Sequence, residues 1–452
     1  MDIIEKNKLL MNELAAGSPQ LAEQVNALDW NELQAALDEC IFKKDQFGLP
    51  EEYGPASYFP LIPENPEQEK LYGQAFVHGE KLIRAGKTAA FTVAGGQGTR
   101  LGYDGPKGTL AVSPIKGKPL FQLFAEQILG ISEKYEVAIP WYVMCSPLNL
   151  EATVSHFEEN AYYGLSRENI KFFAQGVMPA TDFKGNLLLA SQDSLALSPN
   201  GHGGSLKALI DSGSIADMAS RGIEHLSYFQ VDNPLVSVIN PLFIGLHDLQ
   251  KSDMSSRSLT KTGPFEKLGN FVSIGDRVTI IEYSDLPEEK ALEKEGDGRI
   301  RYRAGSPAIH VLRRDFIEQF ASGEIKLPYH RAEKKVDHLD EAGERTTPEE
   351  PNAVKFETFV FDALPLAKNP LILEADRLEE FSPVKNKRGI DSLESSQADQ
   401  VKRAKRWLTN AGHAIKETSI VEINPRAFPS ERDILGAEFK DYDFESDLIY
   451  LD

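Results

Sequence analysis

The sequence predicts an α/β fold with a largely parallel central sheet, and three observations carry that expectation. Short apolar, β-prone runs occupy residues 89–93, 141–145, 171–174 and 226–231, each of a length suited to a buried strand. Helical patterns at 120–132, 150–160 and 205–221 lie between them, and strands that alternate with helices favour parallel β-α-β units. The first run ends in a glycine-rich turn, and open α/β sheets bind ligands at the carboxyl ends of their strands.

Residues 1–85 read as a helical N-terminal domain, because Leu9, Leu10, Leu14, Leu21, Val25 and Leu28 recur at roughly helical spacing. A stretch rich in Pro, Glu and Tyr, 51–66, reads as a linker, and a helix resumes over 66–84. Residues 86–385 form the α/β domain. Within it, 271–283 and 353–364 are also strand-rich and are expected to join a mixed sheet region, while the highly charged 288–303 reads as a surface excursion. A polar break over 386–399 precedes a basic helix at 400–410, which places a small C-terminal domain at 386–452.

Composition excludes several classes. The chain has 452 residues, 41% of them hydrophobic. That suffices for a large core, and no run of about 18 apolar residues predicts a membrane span. The N-terminus mixes charges and lacks a basic region followed by an apolar core, so no signal peptide is expected. Cys40 and Cys145 form no CxxC pair. Two free thiols fit a reducing compartment and a cytoplasmic protein. A net charge of −20 argues against nucleic-acid binding, which needs a basic footprint. It leaves room for a small anionic ligand, since a few local cations can dominate a cleft.

The segment 89–109, AAFTVAGGQGTRLGYDGPKGT, says most about chemistry. Gly95, Gly96 and Gly98 let backbone approach a ligand where side chains would block it. Exposed N–H groups in such a turn, backed by a helix N-terminus, suit a phosphate. Arg100 and Lys107 add charge-assisted contacts. A Walker loop is absent, and Leu101 stands where a dinucleotide fingerprint would need its third glycine. What remains is GGxGTRL, five residues, then a lysine, which reads as a cradle for a nucleoside triphosphate.

Other segments are less specific alone. Asp232, in VDN at the end of 226–231, lies where a metal would meet a phosphate; it is the candidate Mg²⁺ ligand, or else it caps the following turn. Gln175, in FFAQG, has an amide able to read a uracil edge, or marks an ordinary polar strand end. In PNGHGGSLK, His202 could hydrogen-bond a base or phosphate, or be simply solvated. Lys385, in EEFSPVKN, could reach phosphate or remain on the surface. No GxSxG elbow or HExxH cluster occurs, and His310, His330 and His338 lack ligand spacing.

In this order, GGQGTRLG with PKG, IPWYVM, FFAQGVMPA, PNGHGG, VDNPLV, IEYSDL, KFETFVFD and EEFSPVKN resemble the eukaryotic type of UDP-N-acetylhexosamine pyrophosphorylase and the wider UDP-sugar pyrophosphorylase family. The likeness runs from about Phe59 to Asn386. It implies a Rossmann-like nucleotidyltransferase core flanked by helical N-terminal and small C-terminal domains. It further implies Gly95 and Gly96 at the uracil and ribose, Gln175 on the base, and Arg100 and Lys107 on the triphosphate. Asp232 would hold Mg²⁺, Gly203 and Gly204 would lie along the nucleotide sugar, Glu282 would accept from sugar hydroxyls, and Lys385 would contact product phosphates. Two positions depart from the acetylhexosamine pattern. His202 makes the third glycine segment GHGG where GNGG is usual. Ser306 ends RAGS where NAGN is usual, so an Asn that would face the sugar or its acetamido group is lost.

The implied reaction is uridylyl transfer from UTP to a hexose-1-phosphate, with N-acetylglucosamine-1-phosphate as the leading acceptor. UTP–glucose-1-phosphate uridylyltransferase and a broad UDP-sugar enzyme are the alternatives. A glycosyltransferase would not need Arg100 and Lys107 around a triphosphate. A non-catalytic UDP-sugar sensor could discard the metal and phosphate cations that this sequence keeps.

Overall fold

The structure is a computed structural model and describes residues 2–43, 49, 52–323, 325–340, 342–440 and 442–452. It divides into two compact units, each assembled from separate stretches. The first comprises 1–51, 175–208 and 323–363; the second comprises 52–174, 209–322 and 364–452. The sequence reading instead divides the chain consecutively, at 85 and 385.

The second unit is built on an 11-stranded sheet. Its strands are β1 (Gly54–Pro55), β2 (Thr88–Val93), β3 (Trp141–Cys145), β4 (Ile170–Ala174), β5 (His225–Gln230), β6 (Met254–Thr260), β7 (Gly269–Ile274), β8 (Arg277–Ile281), β9 (Ala304–Ser306), β10 (His310–Arg313) and β11 (Leu371–Glu374). Their order is β1-β7-β9-β6-β10-β5-β2-β3-β4, with β8 added to β7 and β11 to β6. The run β5-β2-β3-β4 is parallel, as is β11 with β6. The other ladders are antiparallel. The fold is thus α/β with a mixed sheet, parallel in one half and antiparallel in most of the other.

The parallel half follows from its connections. Helix α2 (Leu120–Tyr135) lies between β2 and β3, and α3 (Leu150–Glu159) between β3 and β4, as parallel neighbours require crossover helices. Every residue of β2 and β3 is buried. Leu120, Phe121, Phe124 and Ile128 of α2 pack in the same cluster as Trp141 and Val143, and burying each such side chain is worth about 1.5–3 kcal/mol. Helix α1 (Pro66–Arg84) starts at an Asn65 cap and α4 (Pro241–Leu249) at an Asn240 cap, each with proline at its first turn. The two helices touch backbone to backbone. A Cβ on Gly79 would lie 1.8 Å from the Pro241 carbonyl oxygen, so only glycine fits there.

Residues 288–303 are less detached than their charge suggests, since Ala291 and Tyr302 bury against Val272 and Ile281. Helix α5 (Leu393–Asn410) begins inside the expected polar break, because Ser392 and Ser395 form a capping box that starts it there. Its Trp407 and Leu408 pack on the parallel strand pair Ile420–Ile423 and Leu448–Leu451.

In the first unit, helices Ile3–Ala15, Pro19–Ala27 and Trp30–Leu37 are capped by Asp2, Ser18 and Asp29. Leu21 and Val25 are buried as expected, but Leu9, Leu10 and Leu14 are exposed. The first helix instead buries Ile4, Asn7 and Met11. Asn7 is held there by donating to the Gly185 carbonyl (2.9 Å) and accepting from the Leu187 N–H (3.2 Å). Ala353–Glu357 does not join the large sheet; it pairs with His330–Lys334, and its Val354 and Phe356 pack in the helical cluster of this unit.

Candidate active site

Parallel register brings the first two motifs together. Val93 of β2 is opposite Gln230 of β5, and the Val231 N–H donates to the Val93 carbonyl (3.1 Å). The glycine turn and Asp232 therefore leave adjacent strands at the same carboxyl edge. The turn closes on itself: Gly98 N–H donates to Gly105 (3.1 Å), and Lys107 N–H donates to Gly96 (3.1 Å). A Cβ on Gly98 would lie 2.7 Å from the Tyr103 ring, so the closed shape depends on glycine. Among the described residues no α-helix starts directly after the turn. Only single 3₁₀ turns, Thr99–Leu101 and Lys107–Thr109, follow it, and Gly102, in the left-handed region at φ 73°, ends the first of them. Anion binding here must rely on the turn's own N–H groups and its cations.

The Lys107 ammonium sits 3.3 Å from the Asp232 carboxylate, with the side chains 14% and 15% exposed. Arg100 is exposed on the 3₁₀ turn, and Gly96 is exposed beside Gly95. A Cβ on Gly96 would lie 4.0 Å from the Lys107 side chain. The Val384 N–H donates to the Asp232 carbonyl (2.8 Å), which fixes Lys385 next to this pair. Lys385 is exposed, and its ammonium stands 5.5 Å from the Phe381 ring centroid. Nearby, burial raises the Asp391 carboxyl above its usual range; Lys385 opposes that shift and Asp232 reinforces it.

A second cluster gathers on β7, β8 and β9. Ser306 is opposite Gly269 in the ladder. A Cβ on Gly269 would lie 3.2 Å from Glu282 Oε1, so glycine leaves room beside that half-buried carboxylate. Ser306 is half-buried, and its Oγ accepts from the Ala308 N–H at 3.3 Å.

The remaining expected residues belong to the first unit. Gln175 is buried. The His202 ring stacks on Phe359 at 5.2 Å, and its Nδ1 accepts from the Val360 N–H (3.2 Å). Burial pushes the imidazole pKa down to about 4, with His330 adding to the effect, so His202 is neutral near pH 7. Cβ atoms on Gly203 and Gly204 would lie 2.5 Å from the Phe359 N and 2.0 Å from Asn200 Oδ1. At Gly203 the neighbour is backbone, so packing demands glycine there; at Gly204 it is the Asn200 side chain, which would have to turn away.

Sequence reasoning missed the residues that hold the second unit's site in shape. Buried Asn149 donates to the carbonyls of Ala94 (3.0 Å) and Gly96 (3.4 Å) at the base of the glycine turn. Asn233 donates to Glu380 (2.6 Å) and accepts from Ser382 N–H (3.0 Å), joining VDN to EEFSPVKN. Arg403 of α5 donates to the carbonyls of Leu235 (2.9 Å) and Glu379 (3.1 Å), bracing the same two segments. A further cavity of about 220 Å³, lined in part by Gln127, Arg403, Trp407, Glu422 and Phe428, includes none of the expected site residues.

An enzyme that joins a nucleoside triphosphate to a sugar phosphate must hold two anions against each other, and this sheet edge collects cations where strand ends and a glycine turn meet. The family model described as UTP–glucose-1-phosphate uridylyltransferase matches residues 63–441. The chain belongs to that family and is a uridylyltransferase. A UDP-N-acetylglucosamine pyrophosphorylase of Saccharomyces cerevisiae is 36% identical over 387 residues, 82% of this chain and 79% of the yeast protein. A solved structure assigned as a UDP-N-acetylglucosamine pyrophosphorylase of Entamoeba histolytica has a TM-score of 0.78 at 32% identity, covering 88% of this chain and 99% of that one. A Trypanosoma brucei UDP-N-acetylglucosamine pyrophosphorylase shares the fold, with a TM-score of 0.81 at 23% identity over 96% of this chain and 92% of its own. Among the described residues, no helix is long and apolar enough to cross a membrane.

Proposed function

We propose that this chain joins UTP to N-acetylglucosamine-1-phosphate, giving UDP-N-acetylglucosamine and pyrophosphate. One observation carries the reading: Lys107, Asp232 and the Lys385 segment meet at the carboxyl edge beside the glycine turn. The phosphate oxygen of the acceptor attacks the α-phosphorus of UTP as the bond to pyrophosphate breaks. A phosphate dianion needs no general base, so the chain's task is alignment and charge. Arg100 and Lys107 hold the triphosphate against the turn, and Lys385 offsets the charge of the reacting phosphates.

Asp232 would hold Mg²⁺. Among the described residues no group of three or more His, Cys, Asp or Glu could bind an ion. A single partly exposed carboxylate beside incoming phosphates is nevertheless a donor set that magnesium accepts. The ion would add Lewis-acid charge on phosphate oxygens. Two buried free thiols support a reducing, cytoplasmic setting.

The yeast and Entamoeba relatives support the acetylated sugar. Glu282, beside Gly269, is the group proposed for its hydroxyls. Ser306 favours a second outcome, use of unsubstituted hexose phosphates, because a short hydroxyl reaches less far than the Asn of the acetylhexosamine pattern. Pyrophosphate release from UTP and Mg²⁺ with N-acetylglucosamine-1-, N-acetylgalactosamine-1-, glucose-1- and galactose-1-phosphate decides between them. N-acetylglucosamine-1-phosphate should give the highest kcat/KM. A value about tenfold below that of glucose-1-phosphate, a difference of about 1.4 kcal/mol, overturns the sugar assignment.

A further inference from the structure

After Val384 the chain reads Lys-Asn-Lys-Arg, three cations in four residues of a protein with net charge −20. The loop that carries them is pinned by its own bonds. Lys385 N–H (2.6 Å) and Asn386 N–H (2.9 Å) both donate to the Asp391 carbonyl, and the Asn386 amide donates to Ile390 (2.8 Å). Gly389 turns it at φ 81°. Held this way, the loop lays Lys387 against the glycine turn. Its ammonium is 3.6 Å, and its Cε 3.7 Å, from the point where a Cβ on Gly102 would stand.

Gly102 directly follows Leu101, so Lys387 and Arg100 flank the same 3₁₀ turn. Their circumstances differ from that of Lys107, whose charge is matched by Asp232. Among the described residues no ion pair engages Lys387. Lys387 is exposed, so its stem lies along the turn while its charged head stays open to solvent and to an anion that approaches the same turn.

We propose that Lys387 is a substrate-binding residue that, with Arg100, holds the terminal phosphates of UTP and the pyrophosphate formed from them. The assignment rests on the uridylyl-transfer reading. It adds a group outside the recognised motif, beside Gly102, whereas Lys107 lies beside Gly96. Lys387 therefore distinguishes ligands by the number of phosphates beyond the α-position, and contributes little to UMP or UDP-sugar.

Calorimetry with the full chain in magnesium buffer tests this without needing turnover. The Lys387→Ala variant should bind UTP and pyrophosphate about tenfold more weakly than wild type at low salt, the scale of one charge-assisted contact at an exposed site. It should bind UMP within about twofold of wild type, and Lys387→Arg should keep most of the UTP affinity. Because the site is exposed, the gap between wild type and Lys387→Ala should narrow as ionic strength rises. Lys402→Ala, which removes an exposed lysine on α5, controls for general charge and should change nothing. Unchanged UTP affinity in Lys387→Ala, or equal weakening of UMP and UTP, overturns the assignment. Failure of the wild type to release pyrophosphate would instead overturn uridylyl transfer, and the binding comparison would still be decided.

Discussion

Replacing Lys107 by alanine separates catalysis from stability. Its ammonium lies 3.3 Å from the Asp232 carboxylate, and both side chains keep about 15% of their surface in contact with solvent. At that distance the gross attraction is about 5 kcal/mol at an effective dielectric near 20. Desolvation and side-chain ordering offset most of it, leaving about 1 kcal/mol of net stability. Lys107→Ala should therefore melt only about 1–2 °C below wild type. Its turnover should fall about 10²–10³-fold, because a fixed cation facing developing phosphate charge is worth about 3–4 kcal/mol in the transition state. Initial rates of pyrophosphate release at saturating UTP, with circular-dichroism melts of the same preparation, read both quantities. Lys107→Arg should recover part of the rate. A well-folded Lys107→Ala protein with kcat near wild type would show that Lys107 only neutralises Asp232, and would remove it from the mechanism.

Three further outcomes follow from geometry away from the reacting groups. Asn149→Ala removes both anchors of the glycine turn and should cost about 1–3 kcal/mol in urea unfolding, since a buried carbonyl loses its donor, while also raising KM for UTP. Arg403→Met leaves the Leu235 and Glu379 carbonyls without their donor; unfolding free energy should fall by about 2–4 kcal/mol, and kcat should drop because the two segments that Arg403 braces carry Asp232 and Lys385. His202 is held neutral, with its pKa lowered from 6.5 to about 4. Its contribution to stability is complete above pH 6.5 and is lost as pH falls toward about 4, because the unfolded chain takes up the proton first. Melts between pH 4 and 7 should show a steeper acid loss for wild type than for His202→Phe.

What could be read from the sequence was local. The strand at 141–145 coincides with the observed element, and the glycine turn that carries Arg100 stands at the carboxyl end of β2, as the residue types of 89–100 suggest. Periodicity served less well where two faces of one helix compete. In Ile3–Ala15, Leu10 and Leu14 repeat at helical spacing, yet Ile4, Asn7 and Met11 do so too, and only tertiary partners choose between them. The face that is buried exchanges Leu10 and Leu14 for Ile4 and Met11, so little apolar burial is lost, and its Asn7 also satisfies backbone of the 185–187 turn, where a buried carbonyl without a donor would cost about 1–3 kcal/mol. Sheet membership failed for a similar reason. Residues 353–357 have a strand's composition, but composition does not name the partner strand.

The residues that sequence missed share one property: they act through backbone groups far away in the chain. Asn149 reaches residues 94 and 96, Asn233 reaches 380 and 382, and Arg403 reaches 235 and 379. A carbonyl is present at every position, so such a bond leaves no pattern of side-chain types at either end. These bonds nevertheless determine where the legible residues stand. Asp232 and Lys385 are 153 positions apart in sequence and become neighbours because the Val384 N–H, Asn233 and Arg403 tie one segment to the other. In-line transfer is sensitive to displacements of about 1 Å. Loosening any of these ties should therefore reduce turnover by misaligning Lys385 and Asp232, and affinity for the nucleotide should suffer less, since the glycine turn is closed by its own hydrogen bonds and keeps its shape without them.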